Sequence, residues 1–190
     1  MGAGDGLFVC QSARENPAKF YIGIDANASR LEKVSEKVTR RPAKGGLPNV
    51  IFLQAAIEEL PVELGGIANE VHIQFPWGTL LGAVASGDTG VLRGLRRICA
   101  SDAILLIIIG LDAKRDRSEI ERLGIEPLSP DFIENELRPR YHNAGFDIVE
   151  RGVLSQSEWS NLRSSWAKRL LGNPERSLTY IKARAIDSQK

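Results

Sequence analysis

The first residues whose types and spacing suit chemistry stand at the start of the chain, where Gly2, Gly4 and Gly6 alternate with Ala3 and Asp5. Leu7, Phe8, Val9 and Ala13 follow at helical spacing. Glycines packed closely before a helix let backbone N–H groups approach a ligand with no Cβ in the way. Nineteen residues beyond Gly6 comes Asp25, at the end of a short apolar run. A carboxylate there can accept both hydroxyls of a ribose, so the pair points to a nucleoside cofactor. The spacing is GxGxG, not the GxGxxG of a dinucleotide site, and Asp5 inside the loop would repel a pyrophosphate, which disfavours a nicotinamide dehydrogenase. The same acid could hold an ammonium group, such as the amino-acid end of S-adenosylmethionine. A tight turn followed by a helix-capping Asp25 is the structural alternative.

Further along, Ala55-Ala56-Ile57-Glu58-Glu59-Leu60-Pro61 follows an apolar run and could line an adenine slot, or form an ordinary helical turn. Trp77 directly follows Phe75-Pro76, which places an aromatic face at a strand end. Trp159 and Trp166 are seven residues apart and can share a helical face, which makes Trp159 the expected core residue. Arg30, Lys33, Lys37, Arg40 and Arg41 fall within an arc of roughly 100° on a helix, beside an apolar arc of Leu31, Val34 and Val38. That basic arc suits a phosphate backbone; with Glu32 and Glu36 close by, a solvated face is the alternative. Arg163, Lys168, Arg169 and Arg176 form a second candidate patch. His72 and His142 have no companion at ligand spacing, so no metal site is expected.

The elements that must position these residues alternate between strand and helix periods. Strands are expected at Phe20 to Asp25, Val50 to Gln54, Glu70 to Phe75, Ile104 to Ile109, Phe146 to Leu154 and Leu178 to Ala185. Helices are expected from Ala28 to about Arg41, over Val91 to Cys99, over Asp131 to Asn143 with Pro139 as a bend or break, and around Glu158 to Leu171. Such alternation implies an α/β protein with a doubly wound parallel sheet, whose ligands sit at the carboxyl ends of the strands. The run Ile104 to Ile109, apolar throughout, is expected to be central.

Two further segments complete a pattern: Phe75-Pro76-Trp77-Gly78-Thr79-Leu80-Leu81, and Ser164-Ser165-Trp166-Ala167-Lys168-Arg169-Leu170 followed by Glu175-Arg176-Ser177. Together with the glycine loop they resemble the aminoglycoside-resistance 16S rRNA methyltransferases that act on N1 of adenine 1408, over nearly the whole chain. The resemblance implies a Rossmann-like class I methyltransferase fold: a mostly parallel doubly wound sheet with an antiparallel C-terminal strand. It implies S-adenosyl-L-methionine as cofactor, held by Gly2, Gly4, Asp5, Asp25, Ala56, Ile57 and Glu58. It implies Trp77 and Trp166 around the target base, with Ser164, Arg169 and Arg176 supporting the flipped nucleotide or its backbone. The implied partner is 16S rRNA in the 30S subunit, met by a monomer. Members of that family carry a strand leading into the glycine loop, whereas here the loop starts at Met1; a single domain over 1–190 without its first strand is the expectation, with neighbouring strands left unpaired.

The chain of 190 residues suits one domain. With 43% hydrophobic and 26% charged residues it reads as globular, and no apolar run approaches a membrane span. Net charge is +1, so any nucleic-acid contact must come from local patches. Two cysteines in no recognisable pairing, and no signal-peptide pattern, fit a cytoplasmic protein. Two rival functions remain open at this point, a small-molecule methyltransferase and a non-catalytic RNA-binding remnant.

Overall fold

The computed structural model describes residues 1–160, 162, 167 and 176–187. Helix α1 (Leu7–Glu15) leads to strand β1 (Tyr21–Asp25), helix α2 (Ala28–Val38) and strand β2 (Val50–Gln54). Strand β3 (Ala68–Gln74), helices α3 (Gly78–Ser86) and α4 (Thr89–Ile98), and the long strand β4 (Cys99–Leu111) follow. Then come α5 (Arg117–Leu123), α6 (Pro130–Phe132), a π-helical turn (Ile133–Leu137), α7 (Arg138–Asn143), β5 (Phe146–Val153), α8 (Gln156–Ser160) and β6 (Ser177–Ala185).

The strands form two ladders. β1 and β2 pair in parallel, and a second ladder runs β3-β4-β6-β5. β3 is parallel to β4, whereas β6 lies antiparallel to both β4 and β5, so the expected antiparallel C-terminal strand is present. Apolar β4 is central. Its Leu105, Ile107 and Ile109 enter a cluster with Leu81, Leu92, Leu95, Leu137 and Tyr141 of α3, α4, the π turn and α7. Ile108 points into another with Trp159, Ala167 and Leu178. Strand alternation sends neighbours to opposite faces, so β4 is covered twice. Trp159 is 1% exposed and its Nε1 donates to the Ala167 carbonyl at 3.2 Å, which makes it the core residue its spacing suggested. On the β1–β2 ladder, Val9, Cys10 and Ala13 of α1 pack with Val38 of α2 and Val50 of β2.

Between the two ladders lies a gap. β1 and β3 have no strand partner on their facing edges among the described residues. Residues 1–3 bridge the inner end, where the Met1 amine donates to the His72 carbonyl at 2.7 Å and Ala3 N donates to the Ile24 carbonyl at 2.9 Å. Lys19 and Glu70 pair at 2.7 Å across the outer end.

Some boundaries differ from expectation. Helix α2 ends at Val38, not at Arg41, because Leu47 N donates to the Val38 carbonyl and Arg41 is extended before Pro42, as a residue preceding proline prefers. Arg40 and Arg41 therefore leave the helical arc. Pro139 does not break its helix: the π turn directly before it absorbs the missing N–H, and the chain continues to Asn143. Phe75 lies outside β3, with φ 52.

Candidate active site

A cavity of about 1550 Å³ runs along the gap between the ladders and opens as a crevice at the carboxyl ends of β1, β2, β3 and β4. One wall is the glycine loop. Gly6 N donates to the Ala3 carbonyl at 2.9 Å to close the turn, with Gly6 at φ 69. A Cβ at Gly6 would stand 2.7 Å from the Phe52 ring and 2.8 Å from Val34, so packing as well as dihedral demands glycine there. Gly4 has φ 54, and a Cβ on it would meet nothing within 4 Å. This is a backbone surface facing open space, as close approach of a ligand requires.

Asp25 holds that loop in place. Its Oδ2 accepts from Gly4 N at 2.8 Å and its Oδ1 from Asn27 N at 2.9 Å, leaving each oxygen a lone pair for a ligand. The helix-capping alternative falls to Asn27, whose Oδ1 accepts from Ser29 N at the start of α2. Asp5 accepts from Leu7 N at 3.1 Å, which fixes its carboxylate at the loop rim. Ala56, Ile57 and Glu58 line the crevice after β2; Ile57 is 6% exposed and anchors that turn in the main core, while Glu58 is exposed.

The facing wall is built by the end of β3. Gln74 closes the strand, Phe75 takes a left-handed backbone rare for a bulky residue, and Pro76 is buried. That sharp exit leaves Trp77 55% exposed on the rim. A non-glycine residue with positive φ is strained, and such strain persists where surrounding structure enforces a geometry.

Arg176 also lines the crevice, but as a buried group and not as part of an exposed patch. Its Nη1 donates to the Gly110 carbonyl at 2.7 Å and to Asp116 Oδ2 at 2.8 Å; the pair's side chains are 9% and 11% exposed. Asp116 Oδ2 also accepts from Asp112 N, so the turn after β4 is tied to the start of β6. Sequence reasoning missed Asp116 and Gln74, neither of which belongs to a recognisable motif. Arg30 and Lys33 of α2 reach the crevice lining beside Asp25, whereas Lys37, Arg40 and Arg41 lie away from it. Trp166, Ser164 and Arg169, with Arg163 and Lys168, lie outside the described residues. Among the described residues no group of three or more potential ligands could hold a metal ion, and no helix is long and apolar enough to cross a membrane.

A glycine loop and strand-end carboxylate facing an aromatic rim, on a doubly wound sheet closed by an antiparallel strand, define a Rossmann-like methyltransferase of class I. The comparisons with known proteins are more specific. The family NpmA, 16S rRNA (adenine(1408)-N(1))-methyltransferase, matches residues 1–185. A protein of that description from Streptoalloteichus tenebrarius is 37% identical over 93% of this chain and 80% of its own length. The crystal structure of the aminoglycoside resistance methyltransferase NpmB1 superposes with a TM-score of 0.81 at 42% identity, over 97% of this chain and 84% of that one. A mutant enzyme from Catenulisporales acidiphilia, solved with cosubstrate SAM, gives a TM-score of 0.89 at 30% identity, over 100% of this chain and 85% of that one. The chain belongs to the 16S rRNA (adenine(1408)-N(1))-methyltransferase family.

Proposed function

We propose that the protein transfers a methyl group from S-adenosyl-L-methionine to N1 of adenine 1408 in 16S rRNA of the 30S subunit, thereby conferring aminoglycoside resistance. The observation that carries this reading is the opposition, across one crevice, of a glycine loop held by Asp25 and the exposed Trp77. The residues present fit the cofactor: Gly4 leaves open space for it and Asp25 keeps free lone pairs for ribose hydroxyls. When bound, it supplies a methyl group on an electrophilic sulfonium. Asp5 would offset the positive charge of its amino-acid end, and the turn Ala56, Ile57, Glu58 would border its adenine.

Adenine N1 carries an in-plane lone pair and no proton, so no general base is needed. What the chain must supply is alignment, and near-attack positioning can remove several kcal/mol of barrier. The target adenine has to leave its stack to be reached, and an aromatic face replaces the lost stacking at roughly 1 to 3 kcal/mol per base. Trp77 provides one such face, and Trp166 is assigned the other by the family resemblance. Positive charge develops on the purine as the methyl arrives, which the indole faces favour. Ser164, Arg169 and Arg176 are assigned to the flipped nucleotide on the same resemblance. Arg176 would do this from within its pair with Asp116. Arg30, Lys33, Lys37, Arg40 and Arg41 then meet the rRNA backbone. The protein acts as a monomer in the cytoplasm, where its substrate is.

The test mixes the protein with labelled methyl donor and either 30S subunits or a ribosome-free metabolite pool. Label mapped to N1 of adenine 1408 is expected; label only in small molecules overturns the reading. Calorimetry with S-adenosylmethionine adds a second check, since the reading requires that the protein bind it.

A further inference from the structure

The carboxamide of Gln74 lines the crevice, and its Oε1 is buried with no hydrogen-bond partner among the described residues. An unpaired buried acceptor costs stability, and a leucine or valine in the last position of a β-strand would avoid that cost. Gln74 stands where function is expected. It is the last residue of β3, paired in register with Ile108, and three residues before the exposed Trp77. The exit that follows it is the strained one at Phe75. Two donor classes could reach this acceptor, a cofactor ammonium or a base N–H. The ammonium already has a carboxylate on the glycine-loop wall, Asp5. Gln74 stands on the opposite wall, the one that carries Trp77.

We propose that Gln74 is a substrate-contacting residue: its side-chain oxygen accepts a hydrogen bond from the exocyclic N6 amine of the target adenine and so turns N1 toward the methyl donor. The inference rests on the reading of the target given above. N6–H2 is the donor next to N1 on the same edge of the ring, so fixing N6 fixes the direction of the N1 lone pair. As the N1–C bond forms and the S–C bond breaks, the adenine takes on positive charge, shared by conjugation with N6, and no proton moves. The N6–H group becomes a stronger donor at that moment. A hydrogen bond that strengthens in the transition state raises kcat more than it lowers KM.

Two variants test this. Q74M keeps the side-chain volume and removes the acceptor; Q74E keeps an acceptor. With the full chain and 30S subunits, Q74M is expected to lose about tenfold or more in kcat, with affinity for S-adenosylmethionine and for the subunit unchanged within about twofold. The same change should raise the melting temperature of the free protein by about 2 to 4 °C, because it removes an unpaired polar group from a chain of this size. Q74E is expected to retain clearly more activity than Q74M. A residue that only supported the fold would behave oppositely, losing stability and activity together. Wild-type kcat in Q74M, or a loss of cofactor or subunit affinity that matches the loss of activity, overturns the proposal. No methyl transfer to adenine 1408 by the unsubstituted protein overturns the underlying reading instead, before any variant is compared.

Discussion

Trp77 is exposed because of the two residues before it. Phe75 turns the chain out of the sheet with a left-handed backbone and Pro76 is buried, so the indole has no core to enter. If it stacks on a flipped base, it acts after docking. Trp77→Ala should therefore reduce methyl transfer by about 10- to 100-fold, in line with roughly 1 to 3 kcal/mol per stacked base, while subunit affinity falls little. Trp77→Phe should keep more activity than the alanine change. Equal loss in a filter-binding assay and in turnover would place Trp77 in docking and not in stacking. At this scale the sequence was most readable where residue type alone dictates geometry. Closely spaced glycines and a strand-end acid announce a ligand loop, and Gly4 and Asp25 are indeed joined at 2.8 Å. Arg176 was readable as a candidate site residue, but its burial was not. Its pairing with Asp116 spans 60 positions, and neither residue carries a local sign of burial.

At the scale of elements, α2 joins a packed face to a basic one. Leu31 and Val38 are both 4% exposed, so the helix is anchored independently of its cations. Reversing Lys33 and Lys37 together to glutamate should leave folding intact and weaken subunit binding steeply. For every phosphate that these lysines no longer neutralise, the slope of log affinity against log salt should also flatten by about 0.7 to 0.9. An unchanged salt slope would mean that this face does not touch RNA. Lys33 also lines the cofactor crevice, so cofactor affinity should be measured beside it. Glu134 accepts from Arg138 at 2.7 Å and from Arg151 of β5 at 2.7 Å, and these two guanidinium groups hold its carboxyl well down, at about 2 against an ordinary 4.5. A carboxylate whose folded value is depressed stabilises the fold above its unfolded value and loses that contribution as pH falls. Glu134→Gln should thus lower stability at pH 6 and converge with the parent as pH falls from about 4.5 toward 2, followed by chemical denaturation at each pH. Parallel curves would show that the cluster is screened by solvent. The proline at 139 signalled a perturbed helix, but a π turn and a break have the same sequence signature, and only the packing of Leu137 and Tyr141 into the core shows which occurs.

For the whole molecule, strand periods revealed six strands and a central β4, yet not their order, since hydrophobic alternation says nothing about which neighbour a strand takes. The order shows a fold in two ladders held together at their carboxyl ends by residues 1–3. Among the described residues the facing edges of β1 and β3 have no strand partner, and they stand beside half-exposed apolar residues, Phe20 at 58% and Ile67 at 52%. Such edges are costly and invite pairing with an extended segment. The Met1 amine, donating to the His72 carbonyl at the inner end, is buried, and burial pushes its pKa down to about 6 from 8.0. Burial likewise lowers the neighbouring His72 imidazole from 6.5. Both are cations disfavoured by folding, so the unfolded chain binds more protons and stability should rise as pH increases, between about 6 and 8 for the amine and below about 6.5 for the imidazole. Fusing an apolar segment of about five residues ahead of Met1, long enough to run parallel to β1 and β3, converts the amine to a peptide N–H and supplies both edges with partners. The fused protein should melt at a higher temperature and more cooperatively, lose most of the rise in stability between pH 6 and 8, and bind S-adenosylmethionine more tightly through a firmer glycine loop. A fused polar glycine-serine segment of equal length separates the two effects, since it removes the terminal amine without favouring a strand. It should abolish the amine's share of the pH dependence and leave the melting temperature near that of the 190-residue chain. If the apolar fusion melts no higher than the polar one, the space between the ladders does not take a strand.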